Sequence, residues 1–136
     1  MREKVLILDD EVDICQVFKD LLEFEERDDY DVDYVTTADE GLKRLSAHPY
    51  AVLFIDIKLS GTISGIDIIK HCRKLHPVPT IVVISAIPEK SLDPIFRQEG
   101  IQDLICAFYE KTDALTPQVI LDLMNQLFKK EKKENT

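Results

Sequence analysis

The sequence has no apolar run long enough to cross a bilayer. Its opening residues, MREKVLILDDE, join a basic start to a short apolar stretch that soon meets acids, so they lack the form of a signal peptide. Basic residues are in the minority, 17 Lys and Arg against 26 Asp and Glu, for a formal net charge of -9. Such a chain has no broad face for neutralising phosphates, which argues against direct nucleic acid binding, and its charge disfavours anionic membrane surfaces. Cysteine is scarce: Cys15, Cys72 and Cys106 are odd in number, widely spaced and free of any C-x-x-C pattern. Each sits in an apolar pattern, so all three are expected to be reduced core residues of a cytoplasmic protein. There is no internal repeat and no sign of a second domain. The expected organisation is one domain over residues 1–130, with 131–136, the end of the run KKEKKENT, as a charged tail or truncated linker.

What the sequence does have is aliphatic residues, in short runs along its whole length. The apolar share of 45% over 136 residues is enough for a core and argues against global disorder. Residues 4–8 (KVLIL), 51–56 (AVLFID) and 80–85 (TIVVIS) read as buried strands, and 31–35 (DVDYV) and 104–109 as two more. Between them come helical patterns. Residues 12–26 carry Ile14, Phe18, Leu21 and Leu22. Thr37 to Glu40 has the form of a capping box before Leu42 and Leu45, and Ser64 to Asp67 has the form of a second. The helix after Ser64 should bury Ile66, Ile69, Cys72 and Leu75 and stop before Pro77 and Pro79. Asp93-Pro94 reads as an N-cap with proline at the first helical position, giving a short fourth helix that ends at Gly100. Thr116-Pro117 opens the last helix, with Val119, Ile120, Leu123, Met124, Leu127 and Phe128 as its buried stripe. The order is β-α five times. Strands that are apolar throughout are covered on both faces, so the expectation is an α/β fold with a parallel sheet.

In such a sheet, function gathers beyond the carboxyl ends of the strands. Asp9, Asp10 and Glu11 follow the first strand, Asp56 the third, Ser85 the fourth and Lys111 the fifth. Crowded carboxylates repel unless a cation balances them. Hard oxygen ligands without Cys or His suit Mg²⁺, Mn²⁺ or Ca²⁺. A carboxylate beside such an ion, with a lysine and a hydroxyl, suits phosphoryl transfer onto the carboxylate.

The segments VLILDDE, VLFID, IVVISA and FYEK, in this order at these strand ends, make the chain resemble the receiver domains of two-component response regulators, the CheY-like type, from residue 4 to about 130. The resemblance implies a flavodoxin-like (βα)5 doubly wound sheet with strand order 2-1-3-4-5. It implies Asp56 as phosphoacceptor and Lys111 and Ser85 as its catalytic partners. Asp9, Asp10, Asp56 and the Lys58 backbone carbonyl would hold Mg²⁺, and Phe108 would be the switch aromatic. The implied partners are a histidine kinase or phosphotransfer protein upstream, and a downstream protein or a missing effector domain. The output surface would be the fourth helix, fifth strand and fifth helix, through which phosphorylated family members often form homodimers. Such a protein catalyses its own phosphorylation and autodephosphorylation but is mainly a switch.

Three departures from the family pattern stand out. Thr112 occupies the place of the usual proline after the lysine. The loop IKLSGTISG is a residue longer than the common form, with Ser60 where proline is usual, and the interval from Ser85 to Lys111 is also longer. The alternative reading is a pseudo-receiver, an interaction module that works without phosphorylation. A phosphatase of the haloacid-dehalogenase type is disfavoured, because Lys58 stands where its second acid would be. Taken singly, each residue has a plainer reading: Asp9, Asp10 and Glu11 as helix-start acids, Asp56 and Ser85 as turn residues, Lys111 as a solvated lysine, Phe108 as core. His48, His71 and His76 share no ligand spacing and are assigned no chemistry.

Overall fold

The three most continuous apolar runs form the middle of the sheet: β1 (Glu3–Leu8), β3 (Val52–Ile55) and β4 (Thr80–Ser85). The computed structural model describes residues 3–25, 29–58, 64–112 and 115–128. β2 (Tyr30–Val35) and β5 (Ile105–Glu110) take the edges, so five parallel strands run in the order β2-β1-β3-β4-β5. The α-helices are α1 (Val12–Glu25), α2 (Ala38–Ala47), α3 (Gly65–Cys72), α4 (Glu89–Glu99) and α5 (Pro117–Phe128), and a 3-10 turn at Gln102–Leu104 precedes β5, which therefore starts at Ile105 rather than Leu104. This is the flavodoxin-like (βα)5 order that the family resemblance implies.

Over residues 5–8, 52–55 and 81–84 the inner strands are apolar at every position because each face has its own helices. Leu6, Leu8, Leu53, Ile55, Ile81 and Val83 pack with residues of α2, α3 and α4, whereas Val5, Ile7, Val52, Phe54, Val82 and Ile84 pack with residues of α1 and α5. Successive residues of one strand thus serve opposite cores. Register then levels the strand ends. Leu8 pairs with Val35 and with Ile55, Ile55 pairs with Val83, and Ser85 pairs with Glu110. The residues just beyond, Asp9, Asp56 and Lys111, therefore leave the sheet at one edge. Backbone bonds extend the pairing: Asp56 N–H donates to the Leu8 carbonyl (2.9 Å) and Lys111 N–H to the Ser85 carbonyl (2.8 Å).

Several expectations need correction. α4 starts at Glu89 behind Pro88, and Pro94 lies inside it rather than at its first position. Leu92 and Phe96, four apart and both buried, explain the longer helix, since a helix starting at Pro94 would leave Leu92 off the buried stripe. Asp93 serves Arg97 (2.9 Å) and Gln102 (3.2 Å) instead of a cap. Gly100 does end the helix, at a left-handed φ of 72°. α3 ends at Cys72 and tightens into turns in which Arg73, Lys74 and Leu75 N–H groups each bond three residues back. Its buried positions include Ile68, while Ile66 is only partly covered. Cys15 and Cys72 are buried, but Cys106 is exposed. The reason is a bulge: Ile81 pairs with Ile105 but Val82 pairs with Ala107, leaving Cys106 as the extra residue. Of the two capping boxes, that of Ser64 and Asp67 is complete, and Thr37 accepts the Glu40 N–H. The tail and residues 59–63, with Ser60, lie outside the described residues.

Candidate functional site at the carboxyl edge of the sheet

Among the described residues, the buried polar side chains are Asp9 (3% exposed), Asp56 (5%) and Ser85 (0%), and all three stand at this one edge. A folded domain has little reason to bury two carboxylates side by side unless their charge is met. Here the two acids are treated alike. Asp9 Oδ1 accepts the Glu11 N–H at 2.9 Å, and Asp56 Oδ1 accepts the Lys58 N–H at 3.0 Å. The other oxygen of each faces Lys111, whose Nζ lies 2.8 Å from Asp9 Oδ2 and 2.9 Å from Asp56 Oδ2.

The electrostatics follow from this crowding. Burial raises the Asp9 pKa above its ordinary value, the charge of Asp56 adds to that, and the bonds from Lys111 and Glu11 N–H only partly offset it. Burial would lower the Lys111 pKa, but the bonds and charges of Asp9 and Asp56 outweigh it and hold the pKa above the usual lysine value. Cys15 lies beneath, its thiol donating to the Asp9 carbonyl at 3.2 Å, and burial pushes its pKa up to about 11.

The remaining residues singled out in the sequence are brought to the same edge or next to it. Asp10 is exposed, yet carboxylate oxygens of Asp9, Asp10 and Asp56 lie within 4.8 Å of one another. That donor set, oxygen only and anionic, fits a hard divalent cation such as Mg²⁺, Mn²⁺ or Ca²⁺ better than the softer metals that favour imidazole or thiolate. Ser85 Oγ accepts the Ile87 N–H at 3.0 Å, so its own proton remains available to donate. Phe108 is partly buried and turns toward α4, its ring centroid 6.5 Å from that of Phe96. The bulge at Cys106 makes this possible by shifting the alternation of β5, so that Phe108 reaches the α2–α4 core. Thr112 N–H donates to the Glu110 carbonyl at 2.9 Å, a bond that proline at this position could not make.

Two contributions were not legible beforehand. Glu11, named among the strand-end acids and read as a helix-start acid with a metal role second in line, places Oε2 3.1 Å from Lys111 Nζ, a contact not foreseen. The triplet Asp9-Asp10-Glu11 is the signal that held it. Gly65 lets α3 begin against the chain leaving β3: a Cβ there would meet Ile57 Cα at 2.8 Å and the Asp56 carbonyl at 3.0 Å.

A sequence model of the family described as response regulator receiver domain matches residues 5–114. The chain belongs to that family. Solved structures agree on the fold. A CheY-like receiver domain protein from Methanospirillum hungatei is 23% identical with a TM-score of 0.79, covering 98% of this chain and 99% of its own. A CheY-like receiver domain from Methylobacillus flagellatus is 26% identical with a TM-score of 0.67, over 90% and 98% of the two chains. The response regulator TrrA from Thermotoga maritima, solved in complex with Mg(2+)-BeF, is 21% identical with a TM-score of 0.69, over 93% and 99%. This receiver domain is thus part of two-component signalling, and its acidic edge is built from the residues that the family resemblance singled out.

Proposed function

We propose that this receiver accepts a phosphoryl group on Asp56 from the phosphohistidine of a histidine kinase or phosphotransfer protein. The observation that carries the reading is the buried pair Asp9 and Asp56 bridged by Lys111, at the mouth of an otherwise apolar core. An Asp56 carboxylate oxygen attacks phosphorus, the P–N bond breaks, and the imidazole keeps the electron pair. Asp9, Asp10, Asp56 and the Lys58 carbonyl would hold Mg²⁺. When bound, that ion supplies positive charge against the phosphoryl oxygens. Lys111 offers its N–H donors to the same oxygens, and Ser85 can donate its hydroxyl proton while still accepting from Ile87.

The signal leaves through packing. Phe108 on β5 touches Phe96 on α4, so movement of Ser85 and the segment behind it biases the α4–β5–α5 face between two arrangements. Output then depends on a protein partner or an appended effector. The phosphorylation-independent reading finds support in Thr112 and the altered α4, but it leaves the buried acid pair, the lysine and the hydroxyl without a use.

Intact mass after incubation with Mg²⁺ and acetyl phosphate tests the proposal. A phosphoryl-sized gain in wild type, absent in Asp56→Asn and after EDTA, is the expected result. Folded wild type that gains nothing would overturn the reading in favour of the interaction module.

A further inference from the structure

Lys111 holds three carboxylates, and they are not equivalent. Its Nζ lies 2.8 Å from Asp9, 2.9 Å from Asp56 and 3.1 Å from Glu11. An ammonium has three N–H donors, so this one is fully engaged. A phosphoryl oxygen arriving at Asp56 needs one of them.

Asp9 and Asp56 are poor candidates to let go. Both are buried, and each has its other oxygen fixed by a backbone N–H. As a phosphoryl group approaches, before the P–O bond forms, taking the lysine from either would cost a buried anionic oxygen its ammonium partner. Glu11 differs, because 56% of its side chain is in solvent. Its carboxylate can turn into water and be solvated there, losing only an exposed ion pair. Its place is kept meanwhile, since the Glu11 backbone N–H stays bonded to Asp9 at 2.9 Å.

We propose that Glu11 is a positioning residue whose carboxylate occupies the third donor of Lys111 as a placeholder for the phosphoryl oxygen. The inference rests on Asp56 being the phosphoacceptor. The exchange is of hydrogen bonds alone. The bond from Nζ–H to Glu11 Oε2 opens, a bond from the same N–H to a phosphoryl oxygen forms, and no proton changes owner. Glu11 thereby keeps Lys111 oriented at rest and competes with the phosphoryl group for it. Loss of Glu11 should favour the phosphorylated form.

Any acid near the site would slow an incoming anion, so a charge-matched control is needed. Asp13 is exposed in the first turn of α1 and lines the same surface groove as Lys111. Among the described residues it makes no ion pair with that lysine. Glu11→Ala and Asp13→Ala therefore remove equal charge, but only the first frees a donor. Phosphoryl uptake from acetyl phosphate with Mg²⁺, followed by intact mass, should be about fivefold faster in Glu11→Ala and within about twofold of wild type in Asp13→Ala. A second readout needs neither metal nor phosphate: exchange of the Lys111 ammonium protons with water, seen by ¹⁵N NMR, should quicken in Glu11→Ala alone. Equal uptake rates in the two variants, slower uptake in Glu11→Ala, or unchanged ammonium exchange would each overturn the placeholder while Asp56 stands. Wild type that takes up no phosphoryl group removes both proposals together.

Discussion

At Lys111, burial and charge pull in opposite directions. Its side chain is 11% exposed, which alone would favour the neutral amine, yet the facing carboxylates hold it charged. A lysine whose folded pKa is raised stabilises the fold fully below its unfolded pKa, and that contribution fades as pH rises through the folded value. The stabilisation is therefore complete across the neutral range and lost only in strong alkali. Lys111→Met keeps the apolar stem and removes the charge, so it isolates this effect. The variant should lose about 3 kcal/mol in urea unfolding at neutral pH without metal, the lower end for removing one partner of a buried ion pair. The gap should narrow on acidification, where Asp9, with its raised pKa, takes up a proton and no longer needs the ammonium. A variant as stable as wild type at pH 7 would mean that water already compensates the carboxylates.

Among the elements, α4 departs most from what its sequence suggests. Asp93-Pro94 has the form of a helix start, and local preference favours that reading. Tertiary packing overrides it, because Leu92 and Phe96 both reach the core from one helical face. The cost stays in the backbone: Pro94 has no N–H for the Lys90 carbonyl, and its ring crowds that carbonyl. Pro94→Ala should stabilise the protein by roughly 2 kcal/mol, the ~3 kcal/mol helix penalty less the ~1 kcal/mol by which proline restricts the unfolded chain. Urea unfolding gives the total, and slower amide exchange at residues 90–93 would place the gain in α4. A destabilised Pro94→Ala would show instead that α4 is relaxed around the proline. The β5 bulge was hidden for a similar reason. An apolar run such as ICAFYE shows no alternation that could reveal an extra residue, yet that residue decides that Cys106 meets solvent and Phe108 meets α4.

Across the whole molecule, legibility follows the range of the interaction. The number and order of strands and helices were readable because apolar runs and 3.6-residue stripes are local signals. The strand ends were readable because a parallel sheet brings every carboxyl end to one edge, whatever the loops do. Bonds between distant side chains left no such trace, as with Glu11 to Lys111 across 100 residues. Charge is the property that spans all of these scales. The chain carries a net -9, and Asp9, Asp10 and Asp56 concentrate part of that at one point. Folding must hold those acids together, so an ion that binds only the folded site should stabilise the whole domain by mass action. Mg²⁺ at a hundredfold excess over its dissociation constant should add about 2.7 kcal/mol, and EDTA should remove it. NaCl at equal ionic strength separates this from general screening, which acts on all 26 acids. Asp10→Asn separates it further, since Asp10 is exposed and its loss should spare the fold while weakening the ion's hold. A Mg²⁺-dependent rise in the unfolding midpoint that shrinks in Asp10→Asn would locate the ion at this edge. An equal rise in NaCl, or an undiminished one in the variant, would place the effect on the surface at large.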